Sequence, residues 1–177
     1  MPARPILQLG NPILRKVSTP IECIGDARGT LDRLRDTLHE FKRTHGFGRG
    51  ISAVQIGEPV RLIYLEFEGS SFALHNPEYQ SRSAETFGLW DDCFSFPDLM
   101  VWLNRHRAVT VRYRDEDGVQ KLLEAEGALS ELIQHEIDHL DGVLAVDRAA
   151  GRDAFCTREE WERRYRATNA APPASQE

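Results

Sequence analysis

The chain has 177 residues and a formal net charge of −6 at pH 7, enough for one domain with a full core and the wrong sign for a general nucleic-acid binder. No apolar run approaches the length of a membrane span, which argues against a membrane partner. The three cysteines, Cys23, Cys93 and Cys156, are too few and too scattered for a disulfide framework, and Met1 to Pro5 lacks the apolar core of a secretory signal, so a cytoplasmic setting is expected.

From Ile6 to Ile21 the prolines indicate an extended opening segment. Leu31, Leu34, Leu38 and Phe41 then fall at helical spacing and predict an amphipathic helix over about residues 28 to 44, stopped by the glycine-rich turn Gly46-Phe47-Gly48-Arg49-Gly50. Val60 to Phe67 reads as a strand and Ser71 to Leu74 as a second, running into Asn76-Pro77. Residues 78 to 100 carry no clear period. Val109, Val111 and Tyr113 alternate with polar residues and lead through Asp115-Glu116-Asp117-Gly118 to Val119–Glu124, a hairpin pattern. A helix over about 128 to 141 follows, with Gly142 as its stop. A last helix starts at Thr157, whose hydroxyl can cap it, with Glu160 completing a capping box. Strands followed by a buried helix, with helices near both ends, indicate an α+β fold. One catalytic domain over residues 1–167 and a disordered tail over 168–177 are expected.

The chemistry concentrates in Gln134-His135-Glu136-Ile137-Asp138-His139-Leu140. Two histidines four apart on a helix stand about 40° from each other and roughly 6 Å along its axis, so both imidazoles can reach one ion. Glu136 flanks that direction without displacing a ligand. This is the His-Glu-x-x-His arrangement, two metal ligands with a glutamate as general base for an attacking water. The plainer alternative is a helix with two buried, hydrogen-bonded histidines. A catalytic site of this kind takes a third protein ligand. A histidine six residues after His139 is excluded, because that position is Ala145. Glu159 or Glu160 lies at a suitable distance downstream, although acidic residues are expected in a first helical turn anyway. Cys93 stands in the most unusual local sequence, yet a lone cysteine is usually a small buried hydrophobe. The residues alone leave that choice open.

Three stretches in order resemble the peptide deformylases. Gly48-Arg49-Gly50-Ile51-Ser52-Ala53-Val54-Gln55 is similar to that family's Gly-x-Gly-Leu-Ala-Ala-x-Gln, and Asp91-Asp92-Cys93-Phe94-Ser95 corresponds to its Glu-Gly-Cys-Leu-Ser. Gln134 to Gly142 keeps its Gln-His-Glu-x-Asp-His-Leu-x-Gly intact. The resemblance implies antiparallel sheets around a central metal-binding helix. It implies a divalent ion held by Cys93, His135 and His139, with iron(II) usual and zinc, nickel or cobalt able to replace it. It implies Glu136 as proton carrier, and the Gln55 amide and the Phe94 backbone N–H as donors to a developing oxyanion. Gly48 and Gly50 would let backbone approach the substrate. The implied reaction is removal of an N-formyl group from the formylmethionine of new proteins.

The second motif departs from the family pattern. Asp91 replaces the common glutamate, with Arg105 its expected partner, and Asp92 replaces a glycine beside the substrate groove. Asp92, Phe94 and Met100 together suggest an altered groove, and motivate an alternative in which the same hydrolysis acts on a small formamide or acyl compound; a non-catalytic metal-holding protein is a minor third reading. Ser52 for alanine is expected to be tolerated. His39, His45 and His106 read as surface residues, while His75 could face the groove. Cys23 and Cys156 read as inert thiols, and Arg158, Arg163, Arg164 and Arg166 as one solvated helix face without assigned function. Oligomeric state is not legible.

Overall fold

The computed structural model describes residues 2–173. Helix α1 runs Arg28–His45 and buries the expected stripe of Leu31, Leu34, Leu38 and Phe41. Gly46, at φ +78°, ends it and sends its N–H back to the Lys42 carbonyl, the left-handed stop that a residue without Cβ supplies at least cost. Five strands, β1 (Gly50–Ser52), β2 (Leu62–Phe67), β3 (Ser70–Arg82), β6 (Ala108–Arg114) and β7 (Gln120–Glu126), form one antiparallel sheet in the order β1-β2-β3-β6-β7. A smaller antiparallel sheet holds β4 (Thr86–Asp92), β5 (Leu99–His106) and β8 (Phe155–Thr157).

Both faces of the large sheet are covered, and β2 shows why its sequence reads as a continuous apolar run. Leu62 and Tyr64 point into the cluster with Leu34, Leu38 and Phe41 of α1, while Ile63 and Leu65 point into the cluster with Leu132, Ile133 and Ile137. Each such fully buried aliphatic side chain stabilises the fold by roughly 1.5–3 kcal/mol. β3 runs far past the Asn76-Pro77 end expected for it. Its pairing with β6 slips between His75 and Glu78, where Asn76 turns to φ +51° and its side chain bonds the backbone of Ile21 twice at 2.8 Å. Proline sits at that irregularity, where no ladder bond is lost.

Helix α2 (Gly127–Leu140) lies between the sheets and is buried on every side from Ser130 to Leu140. Seven of those residues are polar or charged, which is tolerable only where they find partners. Gln134 pairs with the His106 backbone in both directions, at 3.0 and 2.8 Å, and Ser130 donates to the same carbonyl. Asp138 takes Arg105 and Arg148. The helix stops at Gly142 as the sequence suggests: a Cβ there would stand 2.6 Å from the Arg15 carbonyl oxygen, and φ is +74°. Helix α3 (Arg158–Arg164) begins under the Thr157 hydroxyl, which accepts from the Glu160 N–H. Beyond it the Ala170 carbonyl accepts from the Trp90 indole at 2.9 Å; residues 174–177 of the expected tail lie outside the described residues. Among the described residues no helix is long and apolar enough to cross a membrane.

Candidate metal centre and catalytic cavity

The end of β4 carries Cys93 to the face of α2 that presents His135 and His139. One ligand atom from each lies within 4.8 Å of the others, all three residues are buried, and the Cys93 sulfur is 3.2 Å from His139 Nε2. Metal–sulfur and metal–nitrogen bonds of about 2.3 and 2.0 Å at a tetrahedral angle put such atoms about 3.5 Å apart, so the spacing fits a shared ion. The third-ligand question raised by the sequence is answered here. Cys93 joins the histidines, whereas Glu160 is occupied by Arg163 and Arg164 on exposed α3.

Outer contacts orient these donors. His135 Nδ1 lies 2.9 Å from Asp91 Oδ1, leaving Nε2 for the cluster, and Asp91 is held in turn by Arg105 at 2.8 Å. Arg105 also bonds Asp138 and is almost wholly enclosed. The shorter Asp91 therefore keeps the ion pair that was expected of it. Burial alone would raise the Asp91 carboxyl, but His135 and Arg105 outweigh it and hold it well below the usual carboxylate range. Burial, then the neighbouring His135, push His139 far below an ordinary imidazole, so it is neutral, the form that ligates a metal. His139 Nδ1 has no protein partner among the described residues. One thiol and two imidazoles suit a transition ion and not magnesium or calcium.

Cys93 and His135 of the cluster line a cavity of about 400 Å³, with Phe47, Gly48, Arg49, Gly50, Gln55, Asp92, Phe94, Glu131 and Glu136 among its other walls. Glu136 is buried, and burial raises its carboxyl above the ordinary value. Ser52 Oγ stands 2.6 Å from Glu136 Oε2, and a Cβ on Gly50 would come within 2.8 Å of Oε1. A side chain at position 50 would displace Glu136 and Leu65, whose atoms lie 2.8 and 2.7 Å from that Cβ, while Gly48 is favoured by φ +134° and by Phe94 at 2.8 Å. Gln55 accepts from the Ser52 N–H at 2.9 Å, which fixes the amide and turns its Nε2 toward Ser95 Oγ (3.4 Å) and the Cys93 sulfur (3.8 Å). The Phe94 ring stacks on Phe41 at 3.9 Å.

The comparisons with known proteins agree with this geometry. The Polypeptide deformylase family profile matches residues 3–154. This chain belongs to that family. It is 38% identical over 153 residues to the peptide deformylase of Rhizobium meliloti, covering 83% of this chain and 85% of that one. It is also 38% identical over 154 residues to the one from Mesorhizobium japonicum, with coverage of 83% and 84%. Among solved structures it is similar to the peptide deformylase of Thermotoga maritima, at TM-score 0.80 and 30% identity over 85% of this chain and 100% of that one. It is similar too to the Synechococcus elongatus peptide deformylase in complex with actinonin, at TM-score 0.79 and 29% identity over 97% and 88%. Deformylases are metal-dependent hydrolases, usually with iron(II), and the buried Cys93, His135 and His139 are the group here that fits such an ion.

Within this deformylase the structure adds to or changes several sequence expectations. Ser52, in place of the family's alanine, adds a hydroxyl that bonds Glu136. Asp92 does not add an unanswered negative charge, because Arg158 pairs with it at 2.7 Å, and Arg158 accordingly leaves the solvated face assigned to it. His75 faces away from the metal cavity, buried beside the Arg114 carbonyl. His106 is half-buried, with Nδ1 at 2.7 Å from the Ser83 carbonyl.

Proposed function

We propose that this deformylase removes the N-formyl group from the formylmethionine of newly made peptides in the cytoplasm, and that residues 1–167 form its single catalytic domain. The observation that carries the reading is that Cys93 and His135, grouped with His139, meet the Glu136 carboxylate and the Gln55 amide at one cavity. Cys93, His135 and His139 would hold the ion, which when bound would supply a Lewis acid beside the cavity. Glu136 takes a proton from the water that adds to the formyl carbon and delivers it to the amine nitrogen as the C–N bond breaks, giving formate and a free N-terminus. Ser52 steadies one of its oxygens, which leaves the other, beside Gly50, to carry the proton. Gln55 donates from Nε2 to the oxyanion; its amide is oriented in advance by the Ser52 N–H, so no reorganisation is needed during reaction. The Phe94 N–H, next in the chain after the ligand, is the second donor. Gly48, Gly50 and Asp92 border the substrate.

The small-formamide reading rested on a groove altered at Asp92, Phe94 and Met100, and nothing now supports it: Asp92 is paired with Arg158, Phe94 stacks on Phe41, Met100 is buried and does not line the cavity, and the relatives named above are peptide deformylases. Intact Glu136 and Gln55 weigh against a purely metal-holding role. The test is turnover of formyl-Met-Ala-Ser by the iron-loaded protein. Glu136→Ala should lower kcat by about a hundred- to ten-thousand-fold with bound metal retained. Unchanged turnover in that variant, or none in the parent, contradicts the proposal.

A further inference from the structure

Arg158 ties together two walls of the cavity that are far apart in sequence. β5 pairs with β8 through Leu99↔Thr157, which brings the first residue of α3 against the loop after Cys93. There the Arg158 N–H bonds the Asp98 carbonyl at 2.8 Å, its Nε bonds the Pro97 carbonyl at 2.6 Å, and its Nη2 bonds Asp92 Oδ2 at 2.7 Å. The guanidinium also lies 4.0 Å from the centre of the Phe47 ring. Asp92 and Phe47 both line the cavity, one from the strand that delivers Cys93 and the other from the glycine-rich loop. Planar, always charged and able to use edge and face together, arginine suits such a junction in a way lysine does not.

We propose that Arg158 is a positioning residue for substrate selection: it neutralises Asp92 beside the metal cluster and so lets the groove accept peptides irrespective of charge near the formylated residue. The inference rests on the deformylation reading. Without Arg158, a carboxylate adjacent in sequence to a metal ligand faces the groove unpaired. It then attracts cationic peptides and repels acidic ones over a distance shorter than a Debye length. Without Asp92 the preference reverses, because the guanidinium is left uncompensated.

The experiment compares two formyl-Met peptides identical but for lysine or glutamate at the second residue, by kcat/KM. Two peptide hydroxamates carrying the same pair are compared by calorimetric Kd on the metal-loaded protein. Arg158→Ala should raise the lysine-over-glutamate preference by about fivefold to tenfold, Asp92→Asn should lower it by a similar factor, and the double variant should return it to the parent value. Asp92→Asn keeps the bonds of Arg158 to Pro97 and Phe47, so the sign reversal is readable even if Arg158→Ala loosens α3. Preferences within about twofold of the parent in both single variants overturn the proposal and leave Arg158 a fastener for α3. The hydroxamates separate the two readings: preference shifts in Kd without turnover on any formyl peptide support the charge balance that Arg158 sets at the groove and sink deformylation, whereas turnover with unmoved preferences sinks this inference alone.

Discussion

Ser52 and Gln55 show at single-residue scale how the cavity is wired. The Ser52 hydroxyl bonds Glu136 while its N–H fixes Gln55, so one residue steadies both the proton carrier and the oxyanion donor. Gln55→Leu should lower kcat by about a hundred- to a thousand-fold, the usual cost of one oxyanion donor, with metal content unchanged. Ser52→Ala tests the other arm. Burial lifts the Glu136 carboxyl, and the Ser52 bond opposes that lift by favouring the ionised form. A base must be ionised to accept a proton, so activity is lost as pH falls through its pKa. Removing the hydroxyl should move that acid limb of the pH–rate profile to higher pH; an unmoved limb would show that Ser52 does not act on Glu136. His135 and His139 were legible in the sequence because a four-residue helical spacing is a local pattern. Ser52 and Arg158 were not, because their partners lie 84 and 66 residues away and a partner carries no local mark.

Among the elements, α2 holds the site, and its polar partners decide whether it can be buried. Arg105 joins Asp91 to Asp138, so the orientation of His135 and the anchoring of α2 share one guanidinium. Arg105→Met leaves two buried carboxylates without it and should destabilise the fold by about 3–5 kcal/mol in denaturant titration. Asp91→Asn removes the carboxylate from His135 and should weaken metal binding by about tenfold to a hundredfold, measured by competition with a chelator. α1 and the β6–β7 hairpin could be read from periodicity because each presents one apolar face to the core, whereas α2, buried on every side, was legible from its histidine spacing and its Gly142 stop. The stretch from residue 78 to 100 could not. Trp90 there packs edge-on to Trp102 and stacks on Tyr165, so its burial depends on α3 and not on an alternating pattern. The bulge at Asn76-Pro77 likewise hid most of β3, since the feature that lets proline stay in the strand is the distant Ile21 backbone.

Over the whole molecule, two sheets enclose one helix, and the metal cluster sits where β4, from the smaller sheet, meets that helix. The ion would therefore clamp β4 to α2, and a ligand that binds only the folded state stabilises it by mass action. Chelation should lower the melting temperature reversibly, and Cys93→Ala should abolish the difference between metal-loaded and metal-free protein. The fold class was legible in the order of strands and helices, and the full ligand set in the resemblance of three short stretches to the deformylases, while the clasp at Arg158 arises only when the chain end returns to the cavity. The central claim is that Cys93, His135 and His139 grip a single ion. Anomalous diffraction from crystals of the iron-loaded protein tests it most directly: one peak is predicted about 2.0–2.3 Å from the Cys93 sulfur and both Nε2 atoms, and a peak remote from Cys93 would contradict the account.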